Sequence, residues 1–326
     1  MGRSFQVFPF SRAADILGLT HCIPTENRIL ATDSYFSQIS DPHSVITAID
    51  SAVRFPEILD LLRKKYESHI QTWLRLIDEC DSSDALLHRI RSKEFDKDER
   101  MSLLKMFRRC VSPVLDTETT KKIQKVQTSD LIANYGHTFK SIITLKRQFK
   151  GMSQDSLSAL AALVGEYDTR GQLGYQLTNE FFNWFEDTFG GVLTIEGPRG
   201  AGRDIELSSL FPEYQGSFPA DFAIKDAQSG NVLAVGFARY DSTRGGAQSD
   251  DRTGGNANKV TKLDEFCRQY DKNLRLLFVS DGPGLSHNDT WAETCELDDA
   301  WGGNVRVTTL KTAHERVTLD WLTGTR

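Results

Sequence analysis

The chain has 326 residues, of which 39% are hydrophobic and 26% charged, and its formal net charge is −6. That length favours two domains over one, and the composition is the ordinary one of a globular protein. No apolar run is long enough to cross a bilayer and the opening MGRSFQVFPFSR holds no signal-peptide core, so a cytoplasmic protein without a membrane partner is expected.

Five cysteines, Cys22, Cys80, Cys110, Cys267 and Cys295, are scattered with no C-x-x-C pair. They read as reduced thiols buried as small hydrophobes, with no structural zinc. Charge divides unevenly: residues 1–150 carry 23 Lys and Arg against 19 Asp and Glu, whereas 151–326 carry 16 against 26. A polyanion would favour the first half, and the acidic second half suits a site that concentrates a divalent metal.

The first half reads as helical. Ile46, Ile49, Val53, Ile58, Leu61 and Leu62 recur at helical spacing, continued by Ile70, Trp73, Leu74 and Leu76, with Pro56 breaking or opening a helix. Further helices are predicted at 83–92, 97–111 and 129–149, the last capped by Ser129 and Asp130. Basic residues gather at 63–65, 121–125 and 140–150, as solvated helix faces or a phosphate-contacting surface. The domains are set at 1–150, a helical DNA-binding or dimerisation region, and 151–326.

Beyond Gly151 two helices are expected, 153–166 and 175–189, the second with Leu177, Phe181, Trp184, Phe185 and Thr188 on one face. Strands are predicted at 192–195, 218–224 and 232–240, the last two joined by the turn Gln228-Ser229-Gly230-Asn231. A glycine-rich loop leads to a helix over 259–271, then come a buried strand at 274–280, a strand at 305–310 and a closing helix through Trp321. This order gives an α/β layer with helices on the sheet faces, without internal repeats.

Asp221 opens one strand beside another, the arrangement in which a carboxylate can hold a divalent ion against a phosphate. The run 241–256 offers Arg244, Gln248, Arg252 and Asn256 among glycines. Arg can read guanine and Gln or Asn adenine in the major groove, so the run is expected to be a DNA-clamping loop, the alternative being a surface excursion. GPRGAGR (197–203) lacks the Gly-Lys-Ser/Thr ending of a nucleotide loop, and Arg199 and Arg203 are expected to contact DNA phosphate or pair with local acids. The seven histidines do not cluster at metal-ligand spacing.

Pro219-Ala220-Asp221 followed by Val235-Gly236-Phe237-Ala238 resembles the PD-(D/E)XK nuclease core, and more narrowly type II restriction endonucleases. ARYDSTRGGAQSDDRTGGN (238–256), EGPRGAGRD (196–204) and VSDGPG (279–284) add to the likeness, which spans residues 172–324. The resemblance implies a PD-(D/E)XK-like mixed central sheet flanked by helices, with an all-helical N-terminal region. It implies Mg²⁺-dependent hydrolysis of double-stranded DNA at a specific site by a homodimer, with a cognate DNA methyltransferase in the host. In this alignment Asp221 holds metal, Gly236 stands where the family has an acid, and Ala238 where it has a lysine. The acid is then removed, leaving a weakened or inactive enzyme, or drawn from Glu180, Asp204, Glu206 or Glu265, or the register of the alignment is displaced; Glu180 is the favoured second metal ligand. Lys259 or Lys262 is expected to replace the lysine. Arg239 could replace it too, though neighbours on a strand face opposite ways, and Arg239 and Asp241 join the DNA-contacting set. The alternative is a non-catalytic DNA-binding protein on a nuclease-like fold.

Overall fold

A computed structural model of the chain describes residues 34–51, 53–169, 172–242 and 248–324. Helices α1 (Glu57–Glu79), α2 (Ser83–Ile90), α3 (Lys97–Cys110), α4 (Thr117–Thr120), α5 (Thr128–Tyr135), α6 (Ile142–Phe149) and α7 (Gln154–Thr169) form a helical unit. Side-chain caps set several starts. Asp96 accepts from the amides of Asp98 and Glu99 at 2.8 and 2.9 Å, and Ser82 from Ala85 at 3.0 Å. Ser141 opens α6 and divides the helix expected over 129–149 into two. Gln127, not Ser129, precedes α5.

The core of this unit is built on Tyr66, Ile70, Trp73 and Leu76 of α1, closed by Leu103, Met106 and Phe107 of α3 and by Leu157, Leu160, Ala161 and Val164 of α7. Hydrophobic packing therefore puts the divide after α7 and not at residue 150. The texture change at Gly151 marks a turn inside the helical unit, because the apolar stripe of α7 finds its partner on α1.

Next come α8 (Gln172–Phe189), β1 (Leu193–Glu196), β2 (Ile205–Glu206), α9 (Leu207–Leu210), β3 (Pro219–Ala220), β4 (Phe222–Asp226), β5 (Val232–Tyr240) and α10 (Gln248–Tyr270). They are followed by β6 (Arg275–Asp281), α11 (Asn288–Leu297), α12 (Ala300–Gly303), β7 (Val305–Thr308), α13 (Ala313–Arg316) and α14 (Leu319–Thr323). The main sheet has the order β1-β4-β5-β6-β7, antiparallel from β1 to β5 and parallel from β5 to β7, and β2 pairs with β3 in a separate ribbon. The protein is thus a mixed α/β structure with a mixed five-stranded sheet.

Both faces of the sheet are covered, which is why β6 reads as the unbroken apolar run Leu276-Leu277-Phe278-Val279. On one face α8 lays Leu177, Phe181, Phe182 and Phe185 over Phe222, Ile224, Ala234 and Leu277. On the other, α10 lays Leu263, Phe266 and Cys267 over Val235, Phe237, Leu276 and Phe278.

Residues 46–51 were expected to open a helix and instead lie outside any helix or strand. Their amide donors are taken by the sheet: Thr47 N–H donates to Asp281 Oδ1 at 2.7 Å and Ile49 N–H to the Tyr240 hydroxyl at 3.0 Å. The apolar spacing that suggested a helix serves the α/β cores, where Ile49 packs beside α8.

Candidate functional site

Asp221 interrupts the strand expected over 218–224, leaving β3 before it and β4 after it. Its own amide donates to Gly236 O at 2.9 Å, and its Oδ2 accepts from the Ala238 amide at 2.8 Å. The carboxylate is fixed against the edge of β5 by backbone alone. Gly197 secures the other side: a Cβ there would come within 2.3 Å of the Asp221 carbonyl oxygen, at a φ of +152°. Only glycine lets the 197–203 loop lie this close to the aspartate.

Asp221 lines a cavity of about 420 Å³ with Asp204, Phe237, Arg239, Lys259 and Glu293. Lys259, on α10, holds its Nζ 3.7 Å from the centroid of the Phe237 ring and 3.4 Å from Asn256 Oδ1. Asn256 in turn donates to Glu293 Oε1 at 3.3 Å. Phe237 and Phe278 stack beneath, with centroids 5.6 Å apart. Arg239 donates from Nε to Asp241 Oδ1 at 2.9 Å at the rim.

Burial pushes the Asp221 carboxyl above its ordinary range; the Ala238 amide opposes this and the Asp204 charge adds to it. Burial likewise lowers Lys259, with Asp221 pulling it back up and Arg239 pushing it further down. An ammonium over an aromatic face beside a half-desolvated carboxylate is a site with charge to spend on a ligand.

The structure changes the alignment of the β5 residues. Gly236 and Ala238 lie on the α8 face of the sheet, whereas Phe237 and Arg239 lie on the α10 face with Lys259. A Cβ at Gly236 would meet the Phe222 ring at 2.1 Å and the Leu277 carbonyl oxygen at 2.7 Å. Gly236 is therefore a packing glycine under Phe222 and not the vacated place of an acid. The β5 side chains on the Lys259 face are Phe237 and Arg239, one place later than the motif alignment puts them, because side chains on a strand alternate.

Other expected residues separate. Glu180 is on α8, across the sheet from the cavity, and accepts from Gln176 Nε2 at 2.8 Å. Glu206 is held in its ribbon, accepting from the Phe218 amide at 3.0 Å. Lys262 and Glu265 line a different cavity with Tyr214 and Phe266, so of the two lysines Lys259 alone joins Asp221. Arg199 is engaged by Glu186 at 2.5 Å and Asn183 at 2.6 Å, clamping its loop to α8, while Arg203 is exposed on the same loop. The expected DNA-clamping loop is helical from Gln248 onward, so Asn256 faces the cavity from α10. Arg244 lies outside the described residues, and so do the side chains of Gln248 and Arg252.

Asp281, in the VSDGPG segment, serves the frame. It is fully buried, with Oδ1 accepting from Thr47 and Gly282 at 2.7 and 2.8 Å and Oδ2 from Leu310 at 2.9 Å. Glu293, Thr290 and Thr294 of α11 were missed in the sequence, which has no pattern that brings this helix to the sheet.

Among the described residues no three His, Cys, Asp or Glu side chains come together as metal ligands. Asp221 and the exposed Asp204 line the same cavity, and the Asp204 charge acts on Asp221. In comparisons with known proteins, no family model, curated protein or solved structure matches this chain.

Proposed function

We propose that the chain is a Mg²⁺-dependent phosphodiesterase acting on double-stranded DNA, a site-specific endonuclease of the PD-(D/E)XK kind. The observation that carries this reading is Asp221, fixed at a strand break by the Ala238 amide and sharing a cavity with the Lys259 ammonium. A desolvated carboxylate raised further by the charge of an exposed neighbour, Asp204, is a setting in which a divalent cation relieves the repulsion. Magnesium commonly takes one or two carboxylates and completes its shell with water and phosphate, so Asp221 and Asp204 would hold it. When bound it would supply positive charge at the phosphate and an acidified water.

The chain's own residues divide the remaining work. Asp221 orients the ion against the edge of β5. Lys259 presents its ammonium to the phosphate or the attacking water, in the place that the family fills from the strand. Arg239 stands at the rim to meet the DNA backbone. Pairing of two copies would match the two-fold symmetry of a palindromic site.

Phe237 favours a second reading. It occupies the cavity-facing strand place where the family has an acid, and a non-catalytic DNA-binding protein would have no use for that acid.

Cleavage of unmodified phage DNA with Mg²⁺ or Mn²⁺ separates the two readings. Discrete fragments from the wild type, lost in Asp221→Ala and reduced at least about 10²-fold in Lys259→Met, are the expected result. Salt-sensitive binding with no cleavage in either metal would sink the nuclease and leave the binding protein.

A further inference from the structure

A second cavity, about 320 Å³, lies at the opposite end of the parallel strands and is lined by Arg275, Arg306, Gly302, Gly303, Asn304, Thr318, Asp320 and Trp321. Arg275 opens β6 and Ser280 of the first cavity lies five residues on, a separation of roughly 16 Å at strand rise. The two cavities do not merge.

Both arginines are held by neutral groups. Arg275 donates from Nε to Trp321 O at 2.9 Å and from Nη1 to Asn304 Oδ1 at 2.5 Å and Asn273 Oδ1 at 2.9 Å. Arg306 lies 4.9 Å over the Trp321 ring and donates from Nη1 to Arg316 O at 2.5 Å. Its buried Nε finds no acceptor. Among the described residues neither guanidinium has an ion-pair partner. Asp298 and Asp299, whose charges act on Arg306, both pair with Arg316.

Burial works against the charge on both arginines; at Arg306 the charges of Arg316 and Arg275 add to this, and those of Asp299 and Asp298 oppose it. Asp320, in the first turn of α14, is the one acid on the cavity wall among the described residues. Above them the backbone is left-handed through Trp301, Gly302 and Gly303, and Cβ atoms on the two glycines would meet nothing within 4 Å. The mouth is open. Two guanidiniums, each fixed in orientation with its Nη2 donors unspent and with Asp320 as the one carboxylate on the wall, offer N–H donors suited to a phosphate oxygen.

We propose that this cavity is an anion site that takes a phosphate group on the Nη2 donors of Arg275 and Arg306. It is independent of the nuclease reading. The phosphate belongs either to a DNA backbone or to a free phosphate monoester.

The test is ³¹P NMR of inorganic phosphate titrated with the full chain, at constant ionic strength against chloride. Line broadening that saturates is expected for the wild type and for Asp221→Ala, with the affinity at least about tenfold weaker in Arg306→Gln. Asp320→Asn removes a repulsive charge and is expected to bind about threefold tighter. If Arg306→Gln fails to fold, Asp320→Asn decides: tighter binding supports the site, and unchanged binding overturns it. No broadening in the wild type, or equal broadening in a folded Arg306→Gln, also overturns it and leaves both arginines as ties to backbone carbonyls. A DNA duplex that restores the sharp phosphate line assigns the site to the DNA backbone. One that binds without doing so assigns it to a phosphate monoester.

Discussion

At the scale of single residues, Asp221 combines strong fixation with unfavourable burial. Its folded-state carboxyl is raised from the ordinary 3.8, so it favours the fold only while protonated. That contribution is complete below the unfolded-state value and is lost as pH rises through the folded-state pKa. At neutral pH the charged carboxylate therefore weighs against folding. Asp221→Asn keeps an oxygen for the Ala238 amide and removes the charge. Its expected phenotype in thermal unfolding at pH 7 is a rise in Tm of roughly 1–5 °C, together with loss of cleavage. A fall in Tm would mean that the carboxylate has favourable partners beyond that amide. Lys259 is displaced in the opposite direction, below its ordinary 10.5. If its ammonium is the working form, cleavage should decline on an alkaline limb that begins below that value. Lys259→Arg, whose guanidinium does not titrate in this range, should lose the limb while keeping part of the rate. An unchanged pH profile would remove Lys259 from the chemistry.

At the scale of elements, β5 sets what each neighbour can do. Its alternation assigns Gly236 and Ala238 to the Phe222 side and Phe237 and Arg239 to the Lys259 side. Gly236→Glu, the substitution the motif alone would suggest for restoring an acid, instead drives a carboxylate into the Phe222 ring and the β6 backbone. The expected cost is about 4 kcal/mol or more, from overpacking and an unpaired buried charge. Urea denaturation measures it, and a variant as stable as wild type would restore the motif alignment. The motif order Pro219-Ala220-Asp221 before a neighbouring strand was legible because hairpin length and turn residues lie close together in sequence. The facing of β5 was not, because a strand covered on both sides has no polar-apolar alternation to read. The one parity marker on the strand is Arg239, two places from Phe237, and it points to the cavity side.

At the scale of the whole molecule, the chain builds separate cores from segments that are not contiguous. The helical core closes on itself between Leu62 and Val164, whereas the α/β cores draw Phe36 and Ile49 from the segment before α1. Residues 53–169 alone should therefore unfold cooperatively in urea. Residues 172–324 alone should not, because the places of Phe36 and Ile49 stand empty and the Asp281 carboxylate loses the Thr47 amide. Cooperative unfolding of both fragments, followed by circular dichroism, would show that residues 34–51 are dispensable. Among the described residues no helix is long and apolar enough to cross a membrane.

The sequence by itself determined what depends on neighbours along the chain. Periodicity gave most of the helices and the main strands, turn residues gave the β4–β5 connection, and Asp221 stood out at the head of its strand. Tertiary structure alone decided which groups share the cavity with Asp221. Lys259 arrives from α10 and Glu293 from α11, while Glu180, Lys262 and Glu265 are carried elsewhere by the faces their helices bury. The helical identity of 248–256 was hidden by its glycines and polar residues, which disfavour a helix locally. The physical reason is common to these cases. Local patterns record which side of an element is apolar, but the pairing of those sides, and hence the company each charged group keeps, is settled only when distant elements pack.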